Sequence, residues 1–380
     1  MNRIRRLALV IALLTLALPG LASAQQPSPS IAVVSTAEGL PTPFARALAL
    51  TPTGLVVSLM APAGVNAWLG AARISLSDPV TVTLMRGAAS GLGGDHIAAL
   101  RCGRDGCLWA ATDKGLHRLS RGATRFERVG PPVALALLSI GDDGVVWAAG
   151  RDVLVRRGDT GLTTLRLSLN ARRRARTLLA GAEGRAWLVC EDEVIEADAQ
   201  RARPVELAGT PLENRRRERG ERRSPRYWIF DAALDARGDL WLTSATRHLV
   251  RYHNRRFERV ADGYFSKLAA GAGGVYVTAF DGTLRRWTGR SLDVIWRGSR
   301  ADACGALMVD RRGEVWLEHE TDGKVPSAMM RLAPDGRRIA AWTLKRAGST
   351  ALSPGVLAME GDGDGGLWMS TNEGVWHLRP

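Results

Sequence analysis

The chain has 380 residues, with 52 Lys and Arg against 38 Asp and Glu, and a formal net charge of +14. Its 46% hydrophobic and 24% charged residues are the composition of a globular protein and exclude a disordered one. Beyond the N-terminus no apolar run reaches the ~18 residues of a membrane helix, which excludes a polytopic membrane protein.

Residues 1–24 read as a secretory leader. A basic start, MNRIRR, precedes the apolar run LALVIALLTLAL, which Pro19 and Gly20 break before Ala22, Ser23 and Ala24. Cleavage is expected after Ala24, followed by a short polar tail over 25–30. No Cys follows the apolar run to carry a lipid anchor. The expected location is periplasmic or secreted, with no membrane span in the mature chain. Nucleic acid is rare there, so the basic charge is not read as a nucleic-acid footprint. Losing Arg3, Arg5 and Arg6 with the leader leaves a mature charge of about +11.

The rest of the chain, 31–380, is built on one recurring pattern: Gly, any residue, an apolar residue, then an aromatic. It ends in turn on Trp109, Trp147, Trp187, Trp241, Tyr276, Trp316 and Trp368, and Gly54 to Val57 is an eroded first copy. The copies recur about every 44 residues, the period of a β-propeller blade. Each copy sits among four short apolar runs separated by Gly, Asp and Pro. In the second unit the runs are Ile97–Cys102, Cys107–Ala111, Gly115–Leu119 and Thr124–Val129. A single four-stranded sheet leaves both faces open, whereas sheets packed radially cover each other. The Gly permits a tight turn, and the aromatic is read as a wedge between neighbouring blades.

The last unit supplies Val356–Glu360, Leu367–Ser370 and Val375–Leu378, then stops at Pro380 without a fourth strand. The N-terminal run Ile31–Ser35 has no unit of its own. The two are expected to complete one blade and close the ring, which removes its free edges. The fold class is therefore all-β: a single propeller of eight four-stranded blades, with seven blades as the alternative.

The segments DGCLWAATDKGLHRL (105–119), DGGLWMSTNEGVWHL (364–378) and TAEGLPTPFARALAL (36–50) resemble the repeats of the two-component regulator propeller family. That resemblance covers essentially the whole mature chain. It implies a periplasmic sensor module, often with a saccharide ligand, placed ahead of a membrane helix and a histidine kinase or diguanylate cyclase. No such segments follow the propeller here. The expectation is a stand-alone binding protein reporting to a separate membrane kinase or cyclase, or a sensor fragment.

Residues that carry chemistry are sparse in pattern. The six His form no metal-binding spacing, and His248 and His253 read as surface residues of one hairpin. No phosphate loop or nucleophile elbow is present, so neither a cofactor nor a catalytic residue is assigned. The chain is read as a non-enzymatic sensor. The alternatives are a polysaccharide lyase or hydrolase assembled from several blades, and an envelope protein–protein scaffold. Cys102 and Cys107 flank a short turn and are expected to form a disulfide, with Cys190 and Cys304 in separate blades.

Basic charge gathers in two inter-blade connections. One holds Arg172, Arg173, Arg174 and Arg176, and the next holds Arg216, Arg217, Arg222 and Arg223 among other Arg and three Glu. In a propeller both lie on one face, and together they carry about +8 of the mature charge. A saccharide or acidic glycan is the expected ligand, with Tyr227 and Trp228 as candidate stacking partners.

Overall fold

The computed structural model describes residues 29–61, 67–76, 79–167, 175–213, 227–298, 303–320, 327–345 and 354–380. The leader 1–24 and its cleavage site lie outside the described residues. Strands form eight four-stranded antiparallel sheets. Their innermost strands are Ala45–Thr51, Ile97–Cys102, Leu135–Ile140, Ala175–Ala180, Ile229–Leu234, Phe265–Gly271, Ala303–Val309 and Val356–Gly361. Each inner strand contacts the next around the ring, and Val356–Gly361 returns to Ala45–Thr51. The fold is an eight-bladed β-propeller.

Blade 8 combines both ends of the chain. Ser30–Val34 pairs antiparallel with Gly374–Arg379, placing Ile31 opposite Leu378 and Val33 opposite Trp376. The strand ends one residue before the expected limit because Ser35 caps the short turn Thr36–Glu38. Its hydroxyl accepts from Ala37 N at 3.3 Å, while its own N–H donates to Glu38 Oε2 at 2.6 Å. In blade 2 the fourth strand shrinks to Glu127–Arg128, because Phe126 N donates instead to Ser90 O.

The anchor aromatics occupy the clefts between blades. Trp109 of blade 2 packs with Leu138, Val146 and Ala148 of blade 3, and Trp147 packs with Leu178 and Leu188 of blade 4. Trp187, Trp241, Tyr276 and Trp316 repeat this against blades 5 to 8, and Trp368 packs against Leu48, Leu55 and Val57 of blade 1. All seven are buried. The first copy differs from its sequence reading. Val56, not Val57, faces the next blade and packs with Leu100, Leu108 and Ala110. The reason is turn length: Thr51 pairs directly with Gly54, a turn shorter than the Cys102-to-Leu108 loop, so the face parity shifts by one residue.

The longer loops are organised by Asp. Asp235 Oδ1 accepts from Arg237 N and Asp239 N, and its Oδ2 accepts from Trp241 Nε1 at 3.0 Å. Asp310 does the same for Arg312 N, Glu314 N and Trp316 Nε1. Gly238 and Gly313, at φ 81° and 78°, supply the left-handed residue that these loops require. One carboxylate thus fixes both the turn and the wedge.

The expected Cys102–Cys107 disulfide is absent, and both thiols are free. Cys102 pairs with Leu108 and packs in the cleft toward blade 1. Cys107, one residue earlier than Leu108, points to the opposite face, where Arg118 donates to its sulfur at 3.0 Å. Burial, then Glu360 and Asp105, push the Cys102 thiol up to about 11. Slow alkylation of Cys102 is expected at pH 8 in the folded protein, and alkylation of both thiols after denaturation without reductant. Resistance to alkylation after denaturation would reinstate the bridge. Cys190 is buried in blade 4, and Cys304 lies on the inner strand of blade 7.

Candidate functional site

Two regions of the ring gather polar and aromatic side chains. The first is the face formed by the inter-blade connections and the turns between second and third strands. Arg172, Arg173, Arg174, Arg216, Arg217, Arg222 and Arg223 lie outside the described residues. Arg176, on the inner strand of blade 4, pairs with Glu191 at 2.9 Å. Tyr227 is partly buried and packs against the cleft between blades 4 and 5. Trp228 is 40% exposed on the face itself.

That face continues through residues without a repeat signature. Trp228 O accepts from Ala245 N, and Gly263 N donates to Arg247 O at 2.9 Å. The Arg247 guanidinium stands 4.1 Å from the centre of the Tyr264 ring, and Tyr264 meets Phe280 edge-on at 6.3 Å. Phe280 is 62% exposed and Tyr264 44%. Backbone bonds therefore connect Trp228, Arg247, Tyr264 and Phe280 across blades 5 and 6. On blade 1 the same face carries Trp68, stacked on His96 at 4.1 Å with Arg46 at 5.6 Å. Exposed rings beside guanidinium groups suit the flat faces and acidic groups of sugars.

The second region is the axial channel. A cavity of about 790 Å³ is lined by the inner strands of blades 2 and 4 to 8. A smaller one of about 330 Å³ opens at the opposite mouth, between the loops of blades 7 and 8. Arg101 lines both. Every inner strand carries a register shift near its start, which turns some side chains out of the ladder. Asp231 accepts from Leu268 N of the next blade at 2.9 Å. Burial raises its carboxyl above the usual range, against the pull of that bond and of Lys267. Glu360 accepts from Leu50 N at 3.0 Å and is likewise raised by burial, with Arg101 and Arg311 opposing. These residues escaped the sequence reading because no motif marks them.

The remaining His are structural partners. His248 and His253 cap one strand of blade 5, but neither is a free surface group. His248 pairs with Asp262 at 2.8 Å and His253 with Asp239 at 2.6 Å. Burial would raise Asp239, but bonds from His253 and Arg251 hold it below the usual range. Among the described residues no group of three or more His, Cys, Asp or Glu is placed to hold a metal ion. Among the same residues no helix is long and apolar enough to cross a membrane.

The fold defines the class: an eight-bladed β-propeller with an axial channel. No family model and no curated protein matches the chain. Solved structures do. The computationally designed Ika8 protein is 14% identical, with a TM-score of 0.60 over 89% of this chain and 96% of that one. Virginiamycin B lyase from Staphylococcus aureus is 10% identical, with a TM-score of 0.52 over 93% of this chain and 100% of the lyase. The extracellular domain of the hybrid two-component system BT3049 from B. thetaiotaomicron is 9% identical, with a TM-score of 0.52; the match covers 92% of this chain and 41% of that one. At these identities the likeness is one of fold.

Proposed function

We propose that this is a periplasmic or secreted sensor propeller of the two-component regulator type, non-enzymatic, that binds a saccharide or acidic glycan. Its ligand face is the one holding Trp228, Arg247, Tyr264 and Phe280, to which the Arg-rich sequence segments 172–176 and 215–226 are proposed to add positive charge. A separate membrane histidine kinase or diguanylate cyclase would receive the signal. The observation that carries this reading is the exposed aromatic row with its stacked guanidinium, which a soluble surface otherwise avoids. The repeat resemblance and the propeller fold support the sensor role.

Calorimetry with acidic and neutral oligosaccharides tests it. Replacing Phe280 or Trp228 with Ala should cost about 1 kcal/mol each, or roughly fivefold in affinity. Replacing Arg216, Arg217, Arg222 and Arg223 should flatten the salt dependence for the acidic ligand alone. Unchanged affinity in the aromatic variants, or equal salt-independent binding of both ligands, would overturn the assignment. The raised carboxyls of Asp231 and Glu360 favour a second reading, a polysaccharide lyase or hydrolase. Product release from an acidic polysaccharide, lost in Asp231→Asn or Glu360→Gln, would establish it.

A further inference from the structure

The lower half of the channel holds an arginine whose donors are largely unused. Arg101 leaves the inner strand of blade 2 close to its end and stands between the two cavities. Its side chain is open to channel solvent yet surrounded by protein. Among the described residues its one hydrogen bond runs from a terminal nitrogen to Leu100 O at 2.9 Å. It makes no ion pair there, because Glu360 acts on it only at longer range. A guanidinium offers five N–H donors in a planar fork, and all but one of those on Arg101 are left to channel solvent. Arg311, from the adjoining loop of blade 7, adds a second positive group near Glu360 and Cys102. Arg312 is already tied to Gly363 O at 2.9 Å. Met308, Val309 and Met359 supply the apolar part of the remaining wall, beside Cys102, the glycines of the blade 8 loop, and Asp310, whose carboxylate is already engaged by Arg312 N, Glu314 N and Trp316 Nε1.

We propose that this lower cavity binds a small organic carboxylate with an apolar body, its carboxylate on Arg101 and Arg311 and its body against Met308, Val309 and Met359. Two observations select this chemistry. The planar fork of Arg101 matches a carboxylate bidentately. The methionine side chains adapt to varied apolar shapes and offer nothing to the outer oxygens of an inorganic anion. The cavity of about 330 Å³ falls within the size range of small-molecule sites. Glu360 sets the specificity in part, since its carboxylate repels a second negative charge beside it. The site is separate from the aromatic face, which lies at the other end of the inner strands.

The test is calorimetry on the mature full chain with hexanoate and benzoate, their uncharged amides, and inorganic phosphate. Both carboxylates should bind at one site, with the amides and phosphate at least about tenfold weaker. Arg101→Gln should weaken hexanoate about tenfold or more, and Arg101→Lys less, because an ammonium keeps the charge and loses the fork. Glu360→Gln should tighten hexanoate, a gain that a damaged fold would not give. Tyr264→Ala and Phe280→Ala should leave hexanoate binding unchanged, so failure of this site and failure of the glycan face are read separately. Equal binding of the amides or of phosphate, unchanged affinity in a folded Arg101→Gln protein, or weaker binding in Glu360→Gln would each overturn the proposal.

Discussion

Deleting Ser30–Val34 should lower the melting temperature by about 4–8 °C and drive the protein toward aggregation. The strand is the outer member of blade 8 and pairs along its length with Gly374–Arg379. Val34 is buried against blade 1, and Ile31 and Val33 pack against the cluster holding Trp316, Trp376 and Leu378. Full burial of an aliphatic side chain contributes about 1.5–3 kcal/mol, so one fully and two partly buried chains contribute roughly 3–6 kcal/mol. That is a large fraction of the ~5–15 kcal/mol that holds a typical domain together. The deletion also bares the N–H and C=O groups of Gly374–Arg379, a template for pairing with another copy. A peptide of sequence SIAVV supplied in trans should restore part of the stability by adding the strand back. A truncated protein that melts at the parent temperature and stays monomeric would show that the ring is held closed elsewhere.

That closure was legible because it follows from counting. A unit with three strands at one end and a strand without a unit at the other have one economical arrangement. The wedges of blades 5 and 7 were legible for a similar reason: the loop Asp, the Gly at positive φ and the Trp are local partners there, so their spacing survives in the chain. Parity was not legible. Cys102 and Cys107 look adjacent across a turn, but five loop residues place them on opposite faces of the sheet. The same one-residue shift hid Val56 behind Val57.

The channel was hidden differently. Arg101 and Glu360 each sit directly opposite an anchor, Trp109 and Trp368. The equivalent partners in the other six blades are Ala49, Ser139, Leu179, Ala233, Ala269 and Met308. The departure from small or apolar residues at that register is a readable signal once inner-strand pairing is known. Tyr264 and Phe280 have no such periodic marker, because they sit in connections whose lengths vary from blade to blade. Their juxtaposition comes from the ring itself.

Replacing Trp316 with Ala should cost about 3–5 kcal/mol, the most of any single wedge substitution that leaves the backbone unchanged. Trp316 is fully buried between blades 7 and 8 and stacks on Trp342 at 5.4 Å. Its indole N–H donates to Asp310 Oδ2 at 3.0 Å, and Arg331 stands 5.7 Å from its ring. Alanine removes the ring from a cleft walled by Leu367, Met369 and Trp376, whose own strands limit how far the gap can collapse. Trp316→Phe separates the two contributions. It keeps most of the apolar volume and loses the bond to Asp310, which still accepts from Arg312 N and Glu314 N, so a loss of about 1–2 kcal/mol is expected. Val56→Ala removes the smallest wedge in the same role and should cost about 2 kcal/mol or less. Urea unfolding of the three variants orders them as Trp316→Ala well above Trp316→Phe and Val56→Ala. If Trp316→Ala were no worse than Val56→Ala, wedge volume would not be what holds neighbouring blades together. The inter-blade bonds of Glu360 to Leu50 N and Ser370 to Arg46 O would then have to carry the ring.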